Sequence, residues 1–278
     1  LISKKYQVKS FKSLEDLSEN VKAVIISTPT IHHHEIATFF LKNNIHVFIE
    51  KPITTNVKEA NELVQLAKDN NLVGQVGHVE RFNGAFTEVE NLLNPMFIEA
   101  HRLSNYPARG TDVSVILDLM IHDIDLALSL VNSNVKSINA NGVSIMTNSI
   151  DIANARIEFE DGCIANLTSS RISLKKMRKT RIFQEDAYIS INFLEKDYQV
   201  VRIRGKEPND SDSSIIIKNN IGEEKVIFFE KPEIVEINSI ESELNDFFGS
   251  INSDSESEVP LRDGLLALEV AEEILNQI

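Results

Sequence analysis

The chain has 278 residues, 42% of them hydrophobic, which is enough for a sizeable core in one or two domains. A formal net charge of −14 argues against nucleic-acid binding, which needs a basic footprint. With no long apolar window, no leader pattern and a single cysteine, Cys163, neither a membrane span, a signal peptide nor a disulfide framework is expected, and a reducing cytoplasm fits.

The first 80 residues alternate between two periods. Val21–Ser27 is a short β-branched run that predicts a strand buried on both faces. Pro29 and Thr30 then open a helical stretch to about Leu41, with Ile36, Phe39 and Phe40 on one apolar face. Val47–Glu50 is the next strand. Asn56 is placed to cap a helix in which Ala60, Leu63, Val64 and Ala67 recur at helical spacing, and Val73–Val76 closes the series. Strands alternating with helices predict a parallel sheet that offers ligands the carboxyl ends of its strands.

Beyond residue 80 the texture changes. A helix is expected over about Gly84–Leu93, a strand over Phe97–Leu103 and a second helix over about Leu117–Val131. Strand-like segments follow at Ile138–Val143, Ile152–Phe159, Cys163–Ser169, Arg181–Gln184, Tyr188–Phe193, Gln199–Ile203, Ser214–Ile217 and Lys225–Phe229. Short turns such as Glu160-Asp161-Gly162 between them predict a large, mostly antiparallel sheet. Two helices, about Ser239–Ile251 and Arg262–Gln277, end the chain. The expected organisation is therefore an α/β domain over residues 1–79 and an α+β domain over 80–278.

Several residues carry chemistry. Lys51, at the end of a strand, reads either as a surface lysine paired with Glu50 or as a cation able to polarise a substrate hydroxyl. Asp118 and His122, four apart on a predicted helix, share a face. They read either as an N-cap carboxylate beside a half-buried histidine, or as a base with its orienting acid. His32, His33 and His34 are consecutive on a helix and so cannot converge on one ion; no metal site is expected. The segment Arg171–Arg181 holds six positive residues and is either a solvated strand or a phosphate-binding patch.

Three segments together resemble one family. They are Ser27-Thr28-Pro29-Thr30 through Ala37, Glu50-Lys51-Pro52, and Leu117-Asp118-Leu119-Met120-Ile121-His122-Asp123-Ile124-Asp125. Pro260-Leu261-Arg262-Asp263-Gly264 before the last helix fits the same pattern, which is that of the Gfo/Idh/MocA oxidoreductases. The resemblance implies a Rossmann-type first domain that binds NAD or NADP through Thr28, Pro29, Thr30, His33, Glu50 and Lys51. It implies catalytic roles for Lys51, Asp118 and His122. Arg81, Asn83, Arg109 and Arg178 are the residues expected on the substrate. The segments Gly77–Asn83 and Glu99–Asp112 resemble members acting on the 3-hydroxyl of UDP-N-acetylglucosamine. A free polyol or glucose dehydrogenase, or a non-catalytic member of the fold, is the alternative. A sheet with alternating apolar residues implies a homodimer or homotetramer covering its outer face.

The chain also departs from the family. It contains no G-x-G-x-x-G, and its opening, Lys5–Phe11, looks like the family's third strand. On the order of 45 residues carrying the first βα units are therefore expected to be missing from it. Val115, Ile116 and Met120 replace small residues of many relatives beside the catalytic helix and make that region bulkier.

Overall fold

The computed structural model describes residues 2–106, 113–205, 215–218, 222, 224–230 and 237–278. Two compact units divide the chain: Leu1–His78 with Glu243–Leu268, and Val79–Ser242 with Glu269–Ile278.

In the first unit, helices α1 (Ile2–Tyr6) and α2 (Leu14–Ser18) precede strand β1 (Ala23–Ile26), helix α3 (His33–Lys42), strand β2 (His46–Glu50), helix α4 (Val57–Asp69) and strand β3 (Gly74–Gly77). The three strands are all parallel, in the order β1-β2-β3. Val47, Phe48 and Ile49 at the sheet's centre are buried. Helix α4 forms where expected because the Asn56 side chain accepts from the Glu59 amide at 3.0 Å, and because Ala60, Leu63 and Ala67 turn one face inward. Two expectations fail. The opening is a helical turn, α1, and no strand runs through Lys5–Phe11, where no strand partner is present to take its backbone groups. β1 is not buried on both faces: Val24 and Ile26 are inside, but Ile25 is 46% exposed.

The second unit opens with the short helix α5 (Gly84–Thr87) and strand β4 (Phe97–Leu103), and the expected helix to Leu93 breaks off early into a 3-10 turn, Glu90–Leu92. A π-helical turn, Ile116–Met120, runs into helix α6 (Ile121–Leu130). Eight further strands follow: β5 (Val135–Val143), β6 (Ile152–Phe159), β7 (Ile164–Ser170), β8 (Met177–Phe183), β9 (Ala187–Asn192), β10 (Asp197–Gly205), β11 (Ile215–Lys218) and β12 (Glu224–Glu230). They form a nine-stranded sheet with β4 in the order β11-β12-β10-β9-β8-β4-β7-β6-β5. Neighbours are antiparallel except β4 and β7, which run parallel because β4 comes from the front of the unit and inserts between β8 and β7. One face is dry. Ile98, Ala100 and Arg102 of β4 lie in register with Ala165, Leu167 and Ser169 of β7, all buried, and α6 packs on these strands.

Helices α7 (Ser239–Ser253) and α8 (Leu261–Gln277) complete the chain, and the expectation that everything after residue 79 forms one domain does not hold for part of them. Residues Glu243–Leu268 belong to the first unit, because their apolar side chains are matched to its sheet. Phe247 packs edge-on against Phe48 with ring centroids 5.8 Å apart. The Val76 amide donates to the Val259 carbonyl at 3.0 Å. A Cβ on Gly264 would lie 2.5 Å from Val76 Cγ2, and one on Gly74 would lie 2.5 Å from Leu261 Cγ. The Pro-Leu-Arg-Asp-Gly segment is thus a docking element whose glycine admits a β-strand at van der Waals range. Among the described residues no helix is long and apolar enough to cross a membrane.

Candidate functional site

The first unit gathers its expected residues at the carboxyl ends of β1, β2 and β3. Thr28 and Pro29, after β1, are exposed, Thr30 is half-buried in a 3-10 turn, and His33 begins α3 with 1% exposure. Its Nδ1 lies 3.0 Å from the Pro52 carbonyl and its Nε2 lies 2.8 Å from the Thr28 carbonyl. The imidazole therefore joins the segment after β1 to the segment after β2. Glu50 and Lys51 are half-buried at the end of β2, and the Lys51–Pro52 peptide is cis. Glu50 pairs with Gly77 of β3, and a Cβ on Gly77 would meet the Glu50 carboxylate at 3.0 Å. His34 points elsewhere, to Glu62 at 3.0 Å, and His32 is exposed.

A dinucleotide fits this edge in part. Thr28 and Pro29 are exposed and Lys51 is half-buried at this edge, where the ends of parallel strands can receive a dinucleotide, while the space beside buried Gly77 is taken by the Glu50 carboxylate. The glycine-rich turn that would cradle a pyrophosphate has no counterpart in this sequence.

The second unit holds the other expected residues on and around α6. Val115 N–H donates to the Ile150 carbonyl at 3.0 Å and starts the π turn, in which Ile121 N–H reaches back five residues to Ile116. The turn is wider than the regular helix expected here. Asp118 lies within it and His122 in the first turn of α6, both half-buried. Their neighbours are fully engaged. Asp123 takes two bonds from Arg102, Nε to Oδ2 and Nη2 to Oδ1, each 2.9 Å. Arg102 Nη1 also donates to Glu80 at 2.7 Å, and Arg178 Nη1 reaches the same Glu80 oxygen at 3.3 Å. Asp125 accepts from Arg81 Nε at 3.1 Å. Burial opposes the charge of Arg102, but Asp123 and Glu80 outweigh it and hold the guanidinium protonated above its ordinary range. Burial pushes the Asp123 carboxyl up, against the pull of Arg102. Three positive and three negative groups are thus joined along the inner side of α6, while Asp118 and His122 are half-buried.

Arg81 and Asn83, expected on the substrate, are buried. Arg81 pairs with Asp125, and Asn83 caps α5 while donating to Glu80 and to the Phe193 carbonyl. Arg109 lies outside the described residues. The basic segment Arg171–Arg181 is not one patch. Arg171 is fully buried, 3.7 Å from Asp151, and donates to the carbonyls of Val113 and Ile150. Strand period then sends Arg178 to the face of Arg102 and Glu80, and Arg181 to the opposite face, where it pairs with Glu99 at 3.0 Å. Sequence reasoning missed the Glu80–Arg102–Asp123 cluster, although the alternation of β4 places Arg102 among apolar, inward-facing residues and so signals a buried charge in need of partners.

Two family models match the chain: an oxidoreductase family with an NAD-binding Rossmann fold over residues 1–78, and the GFO/IDH/MocA C-terminal domain over residues 65–190. A UDP-N-acetylglucosamine 3-dehydrogenase of Acidithiobacillus ferrooxidans is 34% identical over 195 residues, 69% of this chain and 62% of the relative. A scyllo-inositol 2-dehydrogenase (NAD(+)) of Bacillus subtilis is 27% identical over 185 residues, 61% of this chain and 54% of the relative. Both matches cover less than two thirds of the relatives' own lengths. The solved structure of UDP-N-acetylglucosamine 3-dehydrogenase GnnA from Acidithiobacillus ferrooxidans superposes with a TM-score of 0.89 at 28% identity, over 100% of this chain and 85% of that one.

Proposed function

Since this chain belongs to the Gfo/Idh/MocA oxidoreductase family, we propose that it is the main part of an NAD(P)-dependent dehydrogenase oxidising a carbinol of a nucleotide sugar, with UDP-N-acetylglucosamine as the first candidate. The observation that carries the reading is a contrast in burial along the π turn and α6: Asp123 and Asp125 are buried in ion pairs, and Asp118 and His122 are half-buried. When bound, the nicotinamide supplies the hydride acceptor. Lys51 polarises the carbinol oxygen and stabilises its developing negative charge. His122 takes the hydroxyl proton, and Asp118 orients the imidazole or holds a second sugar hydroxyl. Thr28 and Pro29 line the nicotinamide side. Of the basic residues, Arg178 is proposed for a substrate phosphate; it is half-exposed and one of its nitrogens is tied to Glu80.

Full-length protein supplied with NAD+ or NADP+ tests this. Turnover of UDP-N-acetylglucosamine is expected, with weaker binding of free N-acetylglucosamine. Arg178→Ala should weaken the UDP-sugar by about 10- to 100-fold, as expected for one charge-assisted bond, and Arg181→Ala should leave it within about two-fold. Inositol turnover without UDP-sugar turnover would favour the polyol reading. Cofactor binding with neither activity would favour a non-catalytic member.

The same sheet supports a proposal of self-assembly. On the face opposite Arg102, Phe97, Phe183 and Tyr188 meet across three strands, the first pair edge-on and the second tilted, with centroids 5.9 and 5.0 Å apart, and Phe183 and Phe229 are 40% and 56% exposed. A second copy of the chain laid on this face would cover them. Light scattering should give a dimer or tetramer at micromolar concentration; a monomer would overturn the proposal.

A further inference from the structure

We infer that Arg171, first of the basic run, is a positioning residue for Asp118, an inference that rests on the role proposed for Asp118 at the substrate. Arg171 is fully buried, so it acts on a substrate only through the backbone it holds. Its Nη2 donates to two carbonyls, that of Val113 and, at 3.0 Å, that of Ile150. The Ile150 carbonyl also accepts from the Val115 amide at 3.0 Å. One oxygen just before β6 thus gathers both the guanidinium and the head of the π turn. From that head the Ser114 carbonyl accepts from the Asp118 amide at 3.1 Å. The path from Arg171 to the backbone of Asp118 is therefore continuous and lies wholly within the second unit.

The turn needs support from outside. A π turn is a rare form, and this one is weakly capped: Val115 offers no side-chain bond, and the Ser114 hydroxyl accepts from the Leu117 amide at a long 3.4 Å. The guanidinium is itself held from its other side. Asp151 Oδ1 lies 3.7 Å from Nε, and the Arg171 amide donates to the Asp151 carbonyl at 3.0 Å. Asp151, also fully buried, is fixed in turn by the amides of Ile145, Met146 and Thr147. Burying this pair costs desolvation, and two charge-assisted bonds to backbone carbonyls are what it returns. Arginine suits the place because its planar fork turns Nε toward Asp151 and Nη2 toward both carbonyls at once, which the single nitrogen of a lysine does not.

Arg171→Lys in the full-length protein tests this with two readouts. Hydrogen–deuterium exchange of the segment 113–122 should quicken by about 10- to 100-fold, as for the loss of one charge-assisted bond, while that of β9 stays unchanged. With UDP-N-acetylglucosamine, kcat should fall by about 10- to 100-fold and KM should stay within about three-fold, the mark of a misplaced group. In an Asp118→Ala background the same substitution should cost nothing further. Unchanged exchange at 113–122, an unchanged kcat, or an equal loss in both backgrounds would overturn the inference and leave the role of Asp118 standing. An Asp118→Ala protein as fast as the unaltered one would instead remove the role of Asp118, and the positioning role of Arg171 with it. Should the lysine variant not fold, Asp151→Asn, which leaves Arg171 without its buried counter-charge, should move both readouts in the same direction; no movement in either overturns the inference.

Discussion

Arg102 and Asp123 meet through two parallel hydrogen bonds of 2.9 Å, with the guanidinium 2% exposed and the carboxylate residue 4% exposed. The pair ties the inner side of α6 to β4. Asp123→Ala would strip the buried guanidinium of its two-bond partner and leave it Glu80, which Arg178 shares, and removing one partner of such a pair costs about 3–5 kcal/mol. Urea denaturation of the variant should show that loss. A change below about 1 kcal/mol would mean that the helix is held by packing alone.

At the residues proposed to act on the substrate the expected effect is on rate. His122→Ala and Lys51→Ala in the full-length protein should each lower kcat by about 10²–10⁴-fold with little change in thermal unfolding. Steady-state rates near those of the unaltered protein for His122→Ala would remove the general-base assignment.

Asp151 gives a pH signature. Burial alone would raise its carboxyl, but the amides of Met146, Ile145 and Thr147 and the Thr147 hydroxyl all donate to it, and together they pull it from 3.8 down to about 2. A carboxyl depressed in the folded state contributes its stability above the unfolded value and loses it as pH falls toward the folded one. The unaltered protein should therefore lose this contribution between about pH 4 and pH 2. Asp151→Asn should be less stable at neutral pH and should lack that component of the acid slope. Parallel stability curves for the two proteins across this range would contradict the assignment.

Much of this molecule was legible in its sequence, for reasons that are local. The β-branched run after Lys22, the Asn56 cap and the 3.6-residue recurrence of Ala60, Leu63 and Ala67 depend only on nearest neighbours, and they predicted β1, α4 and the parallel order of the first sheet. The motif residues Thr28, Lys51, Asp118 and His122 were equally visible as residue types at set spacings. What those residues touch was not visible. The sequence places Arg81, Asn83, Arg178 and Arg181 on an equal footing as donors. Tertiary structure separates them, because Asp125 and Glu80 arrive from distant parts of the chain, and because residues of β8 alternate between the face of Arg102 and Glu80 and the face of Glu99. The return of Glu243–Leu268 to the first unit was decided in the same way. Gly264 matters only once Val76 lies against it, and a contact between residues nearly 190 positions apart leaves no periodic trace in either segment.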